Sequence, residues 1–289
     1  MTTETSTKQE RIKKAFVLAR VQKPAYAEYY PLLEPLFLLQ EEVKAEVSLK
    51  AVEVPSDAAA EQLSNGFPLL KRWDFPVDVR SAGAILDAME SLIPSDNRAM
   101  TSAWSALSRS LAKHAGFEAS FWESFLQPDL SAWEEWAKGE GGIDFASILF
   151  IARSCLRPSI EKTAEDLTSK CDGFPLWHRG RCPVCGSFPS LLFLVGDGER
   201  KAYCSWCATP WGIERFQCPG CENRDHTKLG YLYIEEEPQY RIQYCEACKA
   251  YFKQIDARER IEEPFFPLEE WISLHLDLIA HRAGWVEQS

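Results

Sequence analysis

The chain has 289 residues, 46% of them hydrophobic, and a formal net charge of −11 at pH 7. That is enough apolar material for at least one sizeable core and suggests one to three domains. The charge is spread, net −7 over residues 1–172 and net −4 over 173–289, which argues against a nucleic-acid binder in either half, because phosphate backbones attract Lys and Arg.

At the N-terminus the longest apolar run, Ala15 to Ala19, is too short for a signal-peptide core. No stretch approaches the ~20 apolar residues of a membrane span. The expected compartment is the cytoplasm, with no membrane span. Residues 1–172 carry helical patterns. Arg11–Gln22 and Ala25–Val47 place apolar residues three and four apart, as in Tyr29, Leu32, Leu33, Leu36 and Leu39. Pro31 fits a first helical turn or splits the segment. Ser56-Asp57 is read as the cap of a short helix to Leu63, stopped at Asn65-Gly66. Residues 66–79, with Pro68 and Pro76, are read as a loop. Helices are then predicted over Ser81–Ile93, from a Ser95-Asp96 cap to His114, and over Glu118–Leu126, Leu130–Lys138 and Ile143–Lys170. Trp122, Trp133 and Trp136 are read as core or interface anchors on these helices.

Composition changes at Asp172-Gly173. Gly, Pro, Cys and aromatics dominate as far as Asp256, with β-like runs at Ser190–Val195, Lys228–Ile234 and Arg241–Tyr244. A last amphipathic helix, Leu268–Arg282, is halted by Gly284. The predicted organisation is a multidomain α+β chain. It has an all-α domain over 1–172, rubredoxin-like or zinc-ribbon modules over 173–215 and 216–256, and a C-terminal helical segment over 257–289.

Eight of the ten cysteines fall in four Cys-x-x-Cys pairs: Cys182/Cys185, Cys204/Cys207, Cys218/Cys221 and Cys245/Cys248. In a reducing compartment this pattern points to metal rather than to a disulfide framework. Two intervening residues let both sulfurs of a pair face one ion from a tight knuckle, and two knuckles complete a tetrahedron of thiolates. Pro183 presets φ in the first knuckle, and Gly186 can take the positive φ that follows the second ligand. Pairing in chain order leaves 18 residues between the first two knuckles and 23 between the last two, lengths that suit a β-hairpin arm. An interleaved cross-brace needs longer loop closures. Closed four-thiolate sites have no open position for substrate, which disfavours hydrolytic catalysis. Such sites suit iron, as rubredoxin-like one-electron centres, or zinc. The ions can equally serve only to fold a segment too small to hold its own core.

Cys155 is read as a small buried hydrophobe, and Cys171 as a free thiol near the domain junction. His178 and His226 are the two histidines near the metal region. The aromatics Trp206, Trp211, Phe216, Tyr231, Tyr233, Tyr244, Tyr251 and Phe252 are read as the ribbons' small core. They could also stack bases, but residues 182–253 hold eight basic and nine acidic residues, a balance unlike that of a nucleic-acid site.

The runs CPVCGSFP, CSWCATPW, CPGCEN and CEACKAYFK resemble the FdhE family, the formate dehydrogenase accessory proteins. YYPLLEPLFLLQ, GFPLL and the terminal LDLIAHRAGW extend the resemblance over most of the chain. Its most specific parts are the cysteine register and the spacing of Thr209, Trp211 and Arg215 behind the second pair. The resemblance implies a cytoplasmic, non-enzymatic assembly factor. It implies two iron sites, zinc being the alternative metal, on Cys182, Cys185, Cys204, Cys207, Cys218, Cys221, Cys245 and Cys248. It also implies contact with the catalytic subunit of respiratory formate dehydrogenase. One departure is Glu222, where the family often has glycine, and the turn geometry is the point at issue there. Competing readings are a stand-alone rubredoxin-like electron-transfer protein and a zinc-ribbon nucleic-acid-binding protein. No Ser/His/Asp set, phosphate loop or dinucleotide fingerprint supports an enzyme.

Overall fold

The computed structural model describes residues 3–171, 174, 177–260 and 263–288. The boundary expected at Asp172-Gly173 lies outside the described residues. Eight helices come first: α1 (Thr3–Gln22), α2 (Tyr30–Glu46), α3 (Ser56–Ser64), α4 (Val79–Leu92), α5 (Arg98–Lys113), α6 (Glu118–Glu123), α7 (Ser131–Gly139) and α8 (Phe145–Thr168). Six strands follow: β1 (Leu191–Val195), β2 (Glu199–Tyr203), β3 (Pro210–Gly212), β4 (Leu229–Tyr233), β5 (Tyr240–Cys245) and β6 (Ala250–Asp256). The described chain closes with α9 (Phe266–Trp271), α10 (Leu274–Arg282) and β7 (Val286–Glu287). None of the described helices is long and apolar enough to cross a membrane.

The chain divides into two compact units. One comprises residues up to Val52 with Arg72–Thr163; the other comprises Glu53–Lys71 with the chain from Ala164 onward. Residues 53–71 therefore pack with the sheet, although in sequence they lie among helices.

The helical unit is held by apolar burial. Phe16, Leu33, Leu36, Ile85, Leu86, Met89, Leu107 and Trp122 are almost completely buried, each worth about 1.5–3 kcal/mol relative to exposure. Trp133 stacks on Phe125 with ring centroids 4.2 Å apart and meets Trp136 edge-on. Pro31 does sit in the first turn of α2. The cap positions shift from those read in sequence. Asp78 caps α4 by accepting from the Arg80 and Ser81 N–H groups, and Asn97, not Ser95 or Asp96, caps α5. Neither Ser56 nor Asp57 is the N-cap of α3. Pro55 holds that position, with no side-chain hydrogen bond.

Pro158 stands inside α8 and cannot donate to the carbonyl of Ser154. Gln40 Nε2 from α2 takes up that carbonyl at 2.9 Å. Nearby, Glu161 receives Lys44 Nζ at 2.9 Å and Arg157 Nε at 2.5 Å. Burial alone would raise its carboxyl; the two cations reverse this and hold it at about 2.

In the second unit the strands form one sheet in the order β3-β2-β1-β6-β5-β4, with β7 added to β6. Each cysteine ribbon contributes an antiparallel set, and the two sets join where β1 runs parallel to β6, Leu191 opposite Lys253. Leu191, Phe193, Tyr240, Ile242, Tyr251 and Ile255 alternate onto one face, where Phe266, Leu276 and Ala280 cover them. The single helix expected over Leu268–Arg282 is two, α9 and α10. Between them the buried Ser273 hydroxyl bonds back to the Glu269 carbonyl at 2.6 Å, a local side-chain bond that competes with helix propagation.

Candidate metal centres

Each of the four cysteine pairs sits in the same backbone turn. The first cysteine's carbonyl accepts from the N–H four residues on: Gly186, Ala208, Glu222 and Lys249, at 2.8–2.9 Å. Those four residues all have φ between 58° and 74°. Gly186 was expected there on conformational grounds. Ala208, Glu222 and Lys249 take the same left-handed conformation at a cost of about 1–2 kcal/mol each. The glycine-to-glutamate departure at Glu222 thus leaves the turn intact. Its carboxylate accepts from Arg179 Nη1 at 2.9 Å and from the Gly180 N–H at 3.3 Å. Gly180 itself lies so close that a Cβ there would fall 2.1 Å from the Pro219 carbonyl oxygen.

The eight sulfurs gather in chain order into two clusters, Cys182/Cys185/Cys204/Cys207 and Cys218/Cys221/Cys245/Cys248, each with all sulfurs within 4.8 Å of one another. The cross-braced alternative is not formed. Across the first cluster, Cys182 and Cys207 are 3.5 Å apart, as are Cys185 and Cys204. Across the second, Cys218–Cys248 is 3.6 Å and Cys221–Cys245 is 3.8 Å. Sulfurs at the ~2.3 Å bond length of a tetrahedral thiolate site stand about 3.8 Å apart. Both clusters therefore fit one four-coordinate ion, and all eight cysteines are free of disulfides.

The thiols show why a cation suits them. Burial pushes Cys182 and Cys207 up. Burial also raises Cys185, but the thiols of Cys182, Cys204 and Cys207 outweigh it and hold Cys185 low. In the second cluster burial pushes Cys218 up, and Cys248 up to about 11, while the Cys248 and Ala247 N–H groups help to bring Cys245 down. A central cation would stabilise the four thiolates of each cluster together.

The clusters differ in cover. In the first, Cys182, Cys185, Cys204 and Cys207 are 0–4% exposed. Leu69 and Leu70 donate their N–H groups to the Pro183 and Val184 carbonyls of the first knuckle, both at 2.9 Å. Pro68 packs so near Gly186 that a Cβ there would approach it to 3.2 Å. The GFPLL segment, read in sequence as a loop, thus lies along this knuckle. Thr209 Oγ1 is 3.1 Å from Cys207 Sγ, and Ser187 Oγ is 3.3 Å from Cys185 Sγ. In the second cluster Cys221 is exposed and Cys248 half-buried. The last strand reaches the fourth knuckle through Val286 N–H to the Lys249 carbonyl, 2.9 Å.

The remaining sequence candidates fall outside the clusters. His178 and His226 are exposed and join neither. Cys155 is fully buried in α8, its thiol pushed up by desolvation; Cys171 is half-buried. The aromatic core is smaller than read: Trp211, Tyr251 and Phe252 are buried, but Phe216 and Tyr233 are 63% and 65% exposed. Their hydropathy is that of a core residue, but each sits where the sheet unit meets solvent.

No protein-family model matches the chain. Among curated relatives, it is 33% identical over 153 residues to the protein FdhE homolog of Aquifex aeolicus, covering 51% of this chain and 52% of that one. It is 31% identical over 116 residues to protein FdhE of Escherichia coli, covering 39% and 37%. The chain spans about half or less of the length of these relatives. The crystal structure of the FdhE protein from Pseudomonas aeruginosa superposes with a TM-score of 0.64 and 21% identity, covering 96% of this chain and 92% of that one. The chain is FdhE-like in sequence and in fold. The FdhE-like fold combines the helical N-terminal region, the sheet with its two four-cysteine clusters, and the C-terminal helices.

Proposed function

We propose that this FdhE-like chain is an accessory factor in the formation of formate dehydrogenase, with one metal ion in each four-cysteine cluster. The observation that carries the reading is the pair of closed sulfur tetrahedra, together with the likeness to FdhE proteins. Cys182, Cys185, Cys204 and Cys207 hold one ion; Cys218, Cys221, Cys245 and Cys248 hold the other. Iron would supply a one-electron couple and zinc a purely structural cross-link. With all four positions taken by sulfur, neither centre offers a place to activate water, in keeping with a factor that is not itself an enzyme. The client is the formate dehydrogenase catalytic subunit. Pull-down of this chain against that subunit, apo and mature, tests the reading. Retention of at least one form is expected, and failure to retain either would overturn it.

Exposure of Cys221 favours a second reading, electron transfer in the chain's own right, because a thiolate edge at the surface shortens the path to a partner. Anaerobic protein would then show thiolate-to-iron absorption that bleaches on reduction. A colourless protein with two zinc ions would remove this reading and leave the accessory role standing.

A further inference from the structure

β4 ends the sheet. The strand order runs β3-β2-β1-β6-β5-β4, and among the described residues β4 pairs with β5 alone. Its five residues are half-buried or exposed, while β6, inside the sheet, is buried almost throughout. The register fixes which backbone groups face outward. Leu229 stands opposite Cys245, and the Glu246 N–H donates to the Lys228 carbonyl at 2.8 Å. Bonding along an antiparallel ladder alternates, so Gly230 and Leu232 bond to β5. The N–H and C=O groups of Tyr231 and Tyr233 then point to the open edge. The Leu229 N–H donates to the His226 carbonyl, so the outward donors of this edge are those of the two tyrosines.

Nothing within the strand blunts that edge. Exposed edges are normally guarded by a proline, a charge or a bulge, and the run from Leu229 to Tyr233 carries none of these. Tyr231 and Tyr233 lie on one face, their rings 6.1 Å apart, with the Arg241 guanidinium 5.9 and 5.7 Å from them. Cross-strand pairing favours β-branched side chains against such rings. Charge stands at the two ends. Glu235, Glu236 and Glu237 follow the strand; the first two are exposed, and the third meets His275 at 3.1 Å. Lys228, also exposed, precedes the strand.

We propose that β4 takes up an extended basic segment of another protein as an added antiparallel strand. The segment's backbone would bond to the outward groups of Tyr231 and Tyr233, which supplies affinity with little demand on sequence. β-Branched residues at alternate positions would lie against the two rings. Antiparallel pairing, the more stable arrangement, sets the segment's N-terminal end beside Glu235 and Glu236, and that end would carry its basic residues. A second copy of this chain is the poorer fit. It would bring one lysine, Lys228, against three glutamates, and two chains of net charge −11 repel each other. The proposal does not depend on which client the chain serves.

The probe is the acetylated peptide amide Arg-Arg-Thr-Val-Thr-Val-Thr, with the same peptide beginning Glu-Glu as its control, each titrated into the full metal-loaded chain. Calorimetry gives the affinities, and amide hydrogen exchange at Tyr231 and Tyr233 reports the site. The arginine peptide should bind saturably, slow both amides, and bind about tenfold more tightly than the glutamate peptide, as two surface ion pairs allow. Tyr231→Pro removes an outward N–H but no bond to β5, a placement that an edge strand tolerates. It should weaken the arginine peptide about tenfold or more. Glu235→Lys with Glu236→Lys, both at exposed positions, should reverse the preference between the peptides. No saturable binding, equal affinity for the two peptides, an unreversed preference in that variant, or binding that leaves both amides unchanged would overturn the proposal. Slowed exchange at these amides that grows with chain concentration and needs no peptide would also overturn it, by assigning the edge to a second copy.

Discussion

The two sulfur clusters share one local design and differ in what surrounds them. All four knuckles use the same turn, with the same hydrogen bond and the same left-handed residue after the second cysteine. The first cluster is sealed: its sulfurs are buried, residues 69–70 bond to its first knuckle, and two hydroxyls stand beside its sulfurs. The second shows Cys221 to solvent. Spacing sets the geometry of a four-thiolate site, while its accessibility is set by chain from elsewhere. The first cluster is closed off from solvent, and the second has an edge that a partner or a competing ligand can reach.

The largest expected effect separates the clusters by stability. Cys182→Ser with Cys185→Ser should cost one metal and unfold residues 182–212 together with the docked segment 66–70, because structural metal binding supplies about 10–16 kcal/mol of apparent folding free energy in small metal domains. Cys218→Ser with Cys221→Ser should also cost one metal but leave that region protected in amide hydrogen exchange. Equal loss of protection there in both variants would erase the distinction.

A smaller effect concerns the hydroxyl contact. Thr209→Val keeps the shape and removes the oxygen beside Cys207. Competition titration should show metal affinity at the first cluster down by about 10–100-fold, the usual effect of removing a hydrogen bond to a metal ligand. The second cluster should be unchanged.

The knuckle turn gives the smallest effects, of opposite sign. Gly186→Ala adds a Cβ at φ 74° and 3.2 Å from Pro68, and should destabilise by about 1–2 kcal/mol. Lys249→Gly relieves the same strain in the second cluster and should stabilise by up to about 1 kcal/mol. Thermal unfolding of both variants checks the pair, and a shift of the same sign in each would contradict a shared turn.

How much of this was legible in the sequence follows from the range of each interaction. The knuckles are local, so spacing favoured the chain-order grouping over an interleaved one. β1, β4 and β5 were visible as apolar or aromatic runs. β2, β3 and β6 were not: Glu199, Arg200 and Lys201 leave β2 without an apolar run, and Lys253 and Gln254 interrupt β6. Both strands are nonetheless largely buried, because Arg200 finds carbonyls and Lys253 finds Asp277 at 2.8 Å. Such partners lie far away in sequence and leave no periodic trace. The GFPLL segment escaped for the same reason, since its partners, Pro183 and Val184, lie more than a hundred residues downstream. Its resemblance to the family was the one available signal. The break at Ser273 was hidden because its hydroxyl bonds backward within an otherwise helical pattern.

Release of metal to a colorimetric chelator tests the asymmetry of the two clusters most directly. Chain loaded with two zinc ions should give up one equivalent about tenfold or more faster than the other, because a sealed site releases its ion only through local unfolding. Cys221→Ser should abolish the fast phase and leave the slow one. Two equivalents released at a single rate, or loss of the slow phase in the Cys221→Ser variant, would contradict the account.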